Sequence, residues 1–118
     1  MGDYRDLLVW QRSMELVKQV YIATKQLPKE ELFVLTSQLR RAVNSIPSNI
    51  AEGYGRHSRN DYLRFLNIAR GSKNEVETQL QICLILDYLR PEAIAEAQAV
   101  CTEVGKMLNA LIASIENA

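Results

Sequence analysis

The 118 residues contain a single histidine, His57, one place before Ser58 and four before Asp61. By type alone these three could be the base, nucleophile and orienting acid of a hydrolase. Such groups converge from separate elements around an oxyanion hole. Here they share one short turn, and Ser58 followed by Asp61 reads instead as a helix N-cap with an acidic partner. A di-iron bundle needs Glu-x-x-His pairs on facing helices, which one histidine cannot supply. Gly53-Tyr54-Gly55 is not a dinucleotide loop, because Ser58 stands in the third glycine's place and a helical pattern precedes it. Cys83 and Cys101 each lie inside an apolar stripe with no second ligand at metal spacing, so they read as reduced core thiols. The residues point to a protein that is not an enzyme and that needs no metal or cofactor.

What remains is charge. The formal net charge is +0, which argues against a strong nucleic-acid binder, but the distribution is uneven. Residues 1–39 are balanced. Residues 40–73 carry Arg40, Arg41, Arg56, Arg59, Arg64, Arg70 and Lys73 against only Glu52 and Asp61, whereas residues 74–118 carry seven acids against Arg90 and Lys106. If the chain folds back at Gly53 to Ser58, Arg41 and Arg70 come level. Arg40, Arg41, Arg70 and Lys73 are then expected as a cationic belt at mid-height, with Arg56, Arg59 and Arg64 nearer the turn. Such a surface can neutralise the phosphates of RNA or DNA, and Tyr54 and Tyr62 could stack on unpaired bases. The competing use is internal: Glu75 and Glu77 can pair with these cations, as Lys73 and Glu77 do at i,i+4.

Four amphipathic helices must position these side chains, at about residues 7–26, 30–52, 58–89 and 91–116. In the first, Leu7, Trp10, Met14, Val17 and Tyr21 alternate steps of three and four, with Asp6 placed to cap it and Leu27-Pro28 to close it. The second carries Leu32, Leu35, Leu39, Ala42, Ile46 and Ile50, and Pro47 predicts a bend or tightened turn near Val43 to Ser48. Gly53 and Gly55 suit a left-handed helix end. The third runs on Tyr62, Phe65, Ala69, Val76, Leu80 and Cys83 without a break before Arg90-Pro91. The fourth starts at Pro91 and keeps the cleanest heptad, from Ile94 through Ala97, Cys101, Val104, Leu108 and Leu111 to Ile115.

Short connections make neighbouring helices antiparallel, so the expected fold is all-α, a single-domain up-and-down four-helix bundle. Apolar residues outside the inner stripes, among them Leu8, Leu16, Val20, Ile68, Ile82, Leu84, Ile85, Leu86, Val100 and Ile112, exceed what a monomer of this size comfortably hides. Self-association follows as an expectation. No apolar run approaches the roughly 20 residues of a membrane span, and the first residues show no signal pattern, so a cytoplasmic location is expected.

Three strings carry a family resemblance. They are Asp6-Leu7-Leu8-Val9-Trp10-Gln11, the run from Gln38-Leu39-Arg40-Arg41-Ala42 into Ser45-Ile46-Pro47-Ser48-Asn49-Ile50-Ala51-Glu52-Gly53-Tyr54-Gly55-Arg56, and Tyr62-Leu63-Arg64-Phe65-Leu66-Asn67-Ile68-Ala69-Arg70-Gly71-Ser72. Together they resemble the four-helix-bundle proteins encoded by intervening sequences in bacterial 23S ribosomal RNA genes, over nearly the whole chain. The resemblance implies a homopentameric barrel. A relative, the accessory protein of diversity-generating retroelements, shares the fold and uses a basic surface to bind nucleic acid and a reverse transcriptase. This chain departs from those strongly basic relatives in its zero net charge. The expected partners are further copies of itself, RNA or DNA through the seven cations of residues 40–73, or another protein docked on the assembly.

Overall fold

A computed structural model describes residues 2–118 and contains four long helices: α1 (Leu8–Thr24), α2 (Ser37–Tyr54), α3 (Arg59–Ile85) and α4 (Pro91–Glu116). Each helix packs beside the next, and α1 also packs beside α4, so the bundle is a square of alternating direction about 45 Å long and 24 by 21 Å across. One end, the near end, holds the start of α1, the α2–α3 turn and the end of α4. The far end holds the α1–α2 and α3–α4 connections. No described helix is long and apolar enough to cross a membrane.

Helix α1 is preceded by a single tight turn, Tyr4–Asp6, closed by a reciprocal box. The Asp3 carboxylate accepts from the Arg5 N–H (2.7 Å) and the Asp6 carboxylate from the Asp3 N–H (3.0 Å). Asp6 thus serves that turn, and α1 itself starts at Leu8 behind Leu7, which gives it no side-chain cap. The core stripe of α1 is Val9, Ser13, Leu16, Val20 and Ala23, one step round from the stripe expected. Leu7, Trp10, Val17 and Tyr21 flank it half-buried and Met14 is exposed. Two adjacent stripes of α1 both satisfy the three-four spacing. The bulky Trp10 and Tyr21, each with a polar edge, suit the border between core and water rather than the centre; the Tyr21 hydroxyl accepts from Asn44 (2.9 Å).

The second helical segment is not continuous from residue 30. After Pro28 come a tight 3-10 turn, Lys29–Glu31, and a wide π turn, Leu32–Thr36, before α2 proper. The wide turn rotates Leu32 off the inner stripe, so Leu35, Leu39, Ala42, Ile46 and Ile50 are buried and Leu32 is not. Pro47 lies buried in an uninterrupted helix, and residues 43–48 stay α-helical, so the tightened turn expected there is absent. Two side chains bond carbonyls around the proline: the Ser48 hydroxyl donates to Asn44 (2.8 Å) and the Asn49 amide to Ser45 (2.8 Å).

No described glycine has a positive φ, so Gly53 serves another purpose than a left-handed end. A Cβ on it would lie 2.8 Å from the Phe65 Cβ and 3.0 Å from a Tyr62 ring carbon; its hydrogen lets α2 and α3 close together. Ser58 caps α3 as expected, accepting from the Asp61 N–H (3.0 Å). Helix α3 ends at Ile85, four residues early, because Asp87 takes the left-handed conformation (φ 59°). The Tyr88 N–H then donates to the Cys83 carbonyl and the Asp87 N–H to Leu84, both at 3.0 Å, the paired bonds of a Schellman end. Helix α4 follows its expected stripe, with Ile94, Ala97, Cys101, Val104 and Leu108 buried and Leu111 and Ile115 half-buried.

Of the apolar residues expected to be surplus, Leu16, Val20, Val100 and Ile112 belong to the core and Leu84 packs against it. Leu8, Ile68, Ile82, Ile85 and Leu86 do face solvent.

Candidate interaction surfaces

The seven cations of residues 40–73 do not form one belt. Arg40 turns toward α1, where its guanidinium lies 4.5 Å from the Tyr21 ring centre and donates to the Thr24 hydroxyl (2.9 Å). Arg70 turns toward α4 and donates to Asn109 (3.0 Å) and Asn67 (2.6 Å). Lys73 also lies toward α4, with only 14% of its side chain exposed, its ammonium 3.3 Å from Glu77. A Cβ at Gly105 would meet the Lys73 Cε at 2.9 Å, so the glycine makes room for the lysine stem. Of the four mid-height cations only Arg41 stays exposed without a side-chain partner, beside a polar notch formed with Gln38, Ser45, Ser72 and Glu75. Sequence placed these groups level but could not say which way each side chain turns.

At the near end three cations do gather. The Arg56 and Arg64 guanidiniums lie 4.9 and 4.4 Å from the centre of the same ring, Phe65, and the edge-on pair Tyr54 and Tyr62 stands beside it. Each arginine already has an acid: Glu52 lies 2.9 Å from Arg56, and Asp61 lies 3.6 Å from Arg64. Arg59 donates to the Ala118 carbonyl (2.6 Å), where the negative end of the α4 dipole favours a cation. The cluster is basic and aromatic, but most of its charge is neutralised within the chain.

The acidic fourth helix is likewise partly engaged. Arg12 of α1 grips Glu103 with two bonds of 3.0 and 2.7 Å, and this hydrogen-bonded guanidinium holds the Glu103 carboxyl below the usual range. Burial pushes the Cys83 thiol up to about 11 and the Cys101 thiol up to about 12. Both are free, and neither supplies a thiolate near neutral pH.

Two apolar features had no counterpart in the reading of charge. On the outer side of α3, Arg64, Ile68, Gly71, Glu75, Thr78, Ile82 and Ile85 recur at steps of four and three and are all exposed. Within that row Ile68, Ile82 and Ile85 are apolar, so α3 carries three exposed isoleucines on the side opposite its buried stripe. At the far end, Leu32, Phe33 and Val34 are exposed in a row. Their sequence signal was present in a run of four apolar residues, Leu32 to Leu35, of which only Leu35 is buried, but the wide turn that faces the first three outward was not legible.

The comparisons decide the family. The model of the 23S rRNA-intervening sequence protein family matches residues 5–110. This chain belongs to that family. A solved structure of a protein of unknown function from the S23 ribosomal protein family of Bacteroides thetaiotaomicron is 30% identical, with a TM-score of 0.82 over 89% of this chain and 98% of that one. A comparison with curated proteins finds no match. Within the stretch from Ser45 to Arg56 that carries the 23S rRNA-intervening sequence family resemblance, Ile46, Pro47, Ile50 and Gly53 are buried in α2.

Proposed function

We propose that this member of the 23S rRNA-intervening sequence family is a non-enzymatic cytoplasmic scaffold that works as a homo-oligomer, the ring of five that the family resemblance implies. The observation that carries this reading is the three isoleucines exposed on the outer side of α3, Ile68, Ile82 and Ile85. Large apolar side chains exposed on the side of a helix that faces away from its own bundle suit contact with another helix. The outer face of α4 exposes Ala95, Ala99, Ala110 and Ala113, with Thr102 and Lys106 between them, and its short side chains at either end suit the isoleucines of the next copy, because short side chains permit close helix approach. Contact between two different faces is heterologous and closes into a ring when the rotation allows.

The test is solution mass by light scattering after size exclusion, on the wild type and on Ile68→Glu/Ile82→Glu. The wild type elutes as an oligomer and the variant as a folded monomer. An unchanged mass for the variant rejects the α3 face.

A second reading, contact with RNA or DNA, is favoured by one observation, the Arg56, Arg64 and Phe65 cluster beside Tyr54. Anisotropy with labelled single- and double-stranded RNA and DNA tests it. Binding that weakens steeply with salt, and that Arg56→Glu/Arg64→Glu abolishes without changing the oligomer, supports it. Absence of binding leaves the scaffold with a protein partner.

A further inference from the structure

The outer sides of α3 and α4 each carry one charge that the bundle leaves unused. In the exposed row of α3 from Arg64 to Ile85 the one acid is Glu75, midway between Ile68 and Ile82. In α4 the one cation is Lys106, exposed between Ala110 on one side and Ala99 and Ala95 on the other. The ion pairs of the described residues use neither charge. Glu75 accepts only from the Gln79 amide, at 3.4 Å, and Arg41 borders the same notch without pairing with it.

Contacts between α3 and α4 within one bundle fix the heights of these residues. Arg70 donates to Asn109 (3.0 Å), and the Lys73 carbonyl accepts from the Cys101 thiol (3.7 Å). Both helices rise by about 1.5 Å per residue in opposite directions. Ile68 therefore lies about level with Ala110, Glu75 with Thr102 and Ile82 with Ala95. A closed ring is generated by rotation alone, with no slide along its axis. Where bundles stand side by side around that axis, each height in one copy meets the same height in the next, whatever the number of copies.

The helices also aim the two charges at each other. Side chains lean toward the N-terminus of their own helix. Glu75 thus leans toward the near end. Lys106, one turn nearer that end than Thr102, leans toward the far end and so toward the level of Glu75.

We propose that Glu75 of each copy pairs with Lys106 of the next, with Ile68 against Ala110 on one side of the pair and Ile82 against Ala95 on the other. The inference rests on the ring of the proposed function and gives that ring its register. A slide of one turn in one direction brings Ile68 onto Lys106 and parts the charges, so the pair penalises the wrong alignment as well as favouring the right one.

Solution mass over a dilution series tests the pair on wild type, Glu75→Lys, Lys106→Glu and Glu75→Lys/Lys106→Glu, with circular dichroism confirming that each is helical. Either single reversal sets like charges opposite each other at every contact, and the concentration at which half the oligomer dissociates is expected to rise roughly tenfold or more. The combined reversal restores opposite charges and is expected to return that concentration to within about threefold of wild type. Single reversals that assemble like wild type, while Ile68→Glu/Ile82→Glu dissociates, overturn the pair and leave the ring standing. A combined reversal no better than the single ones also overturns the pair. If Ile68→Glu/Ile82→Glu keeps the wild-type mass, or if the wild type is a monomer, the ring and the pair fall together.

Discussion

Replacing Gly53 by alanine tests the closest approach in the bundle. Alanine is favoured over glycine by about 1 kcal/mol inside a helix, so propensity alone predicts stabilisation. Packing opposes it. The new Cβ would lie 2.8 Å from the Phe65 Cβ, 3.0 Å from a Tyr62 ring carbon and 3.3 Å from the Tyr62 carbonyl oxygen. The Phe65 Cβ and the carbonyl are fixed to the α3 backbone, so no rotamer change relieves them and the helices must separate. Overpacking of that kind costs about 1–3 kcal/mol, so after the propensity gain the net expectation is a loss of up to about 2 kcal/mol. Gly71→Ala is the control, because nothing lies within 4 Å of its Cβ, and it gains about 1 kcal/mol. Both are measured by urea unfolding in the Ile68→Glu/Ile82→Glu background, where assembly does not contribute. The reasoning fails if Gly53→Ala is stabilised as Gly71→Ala is.

Three further outcomes follow from local geometry. Asp87 pays for a left-handed backbone that glycine adopts freely, so Asp87→Gly raises stability by about 0.5–1 kcal/mol and Asp87→Val lowers it; thermal unfolding reads both, and a destabilised glycine variant contradicts the assignment. The depressed Glu103 carboxyl gives a signed pH effect. Its contribution is complete above the unfolded glutamate value of about 4.3 and is lost as pH falls through its lower folded value, so Glu103→Gln flattens the acid limb of stability against pH and leaves neutral behaviour in shape unchanged. With thiols raised to about 11 and about 12, Cys83 and Cys101 react with a disulfide reagent at pH 8 roughly a hundredfold or more slower than free cysteine until urea exposes them; fast reaction of the folded protein would show that the core opens.

The sequence by itself determined the number, order and direction of the helices. Periodicity carries that information wherever one stripe dominates, as in α4 from Ile94 to Leu108 and in α2 from Leu35 to Ile50, and local chemistry carries it where a cap is self-contained, as at Ser58 and Pro91. It did not determine the face of α1, because Leu7-Trp10-Met14 and Val9-Ser13-Leu16 both keep helical spacing and only the neighbouring helices choose between them. Nor did it show the wide turn at Leu32–Thr36 or the early end of α3 at Asp87. Both rotate apolar side chains, Leu32 to Val34 and Ile85, away from a core already filled by others, which is a property of the packed bundle and not of either segment. The candidate site divides in the same way. Sequence spacing placed Arg40, Arg41, Arg70 and Lys73 at one height along the bundle, since rise per residue is fixed by the helix. Tertiary structure sent Arg40 to α1, Arg70 and Lys73 to α4 and left Arg41 outside, because a long cation settles wherever a ring, an amide or a carboxylate on the adjoining helix receives it.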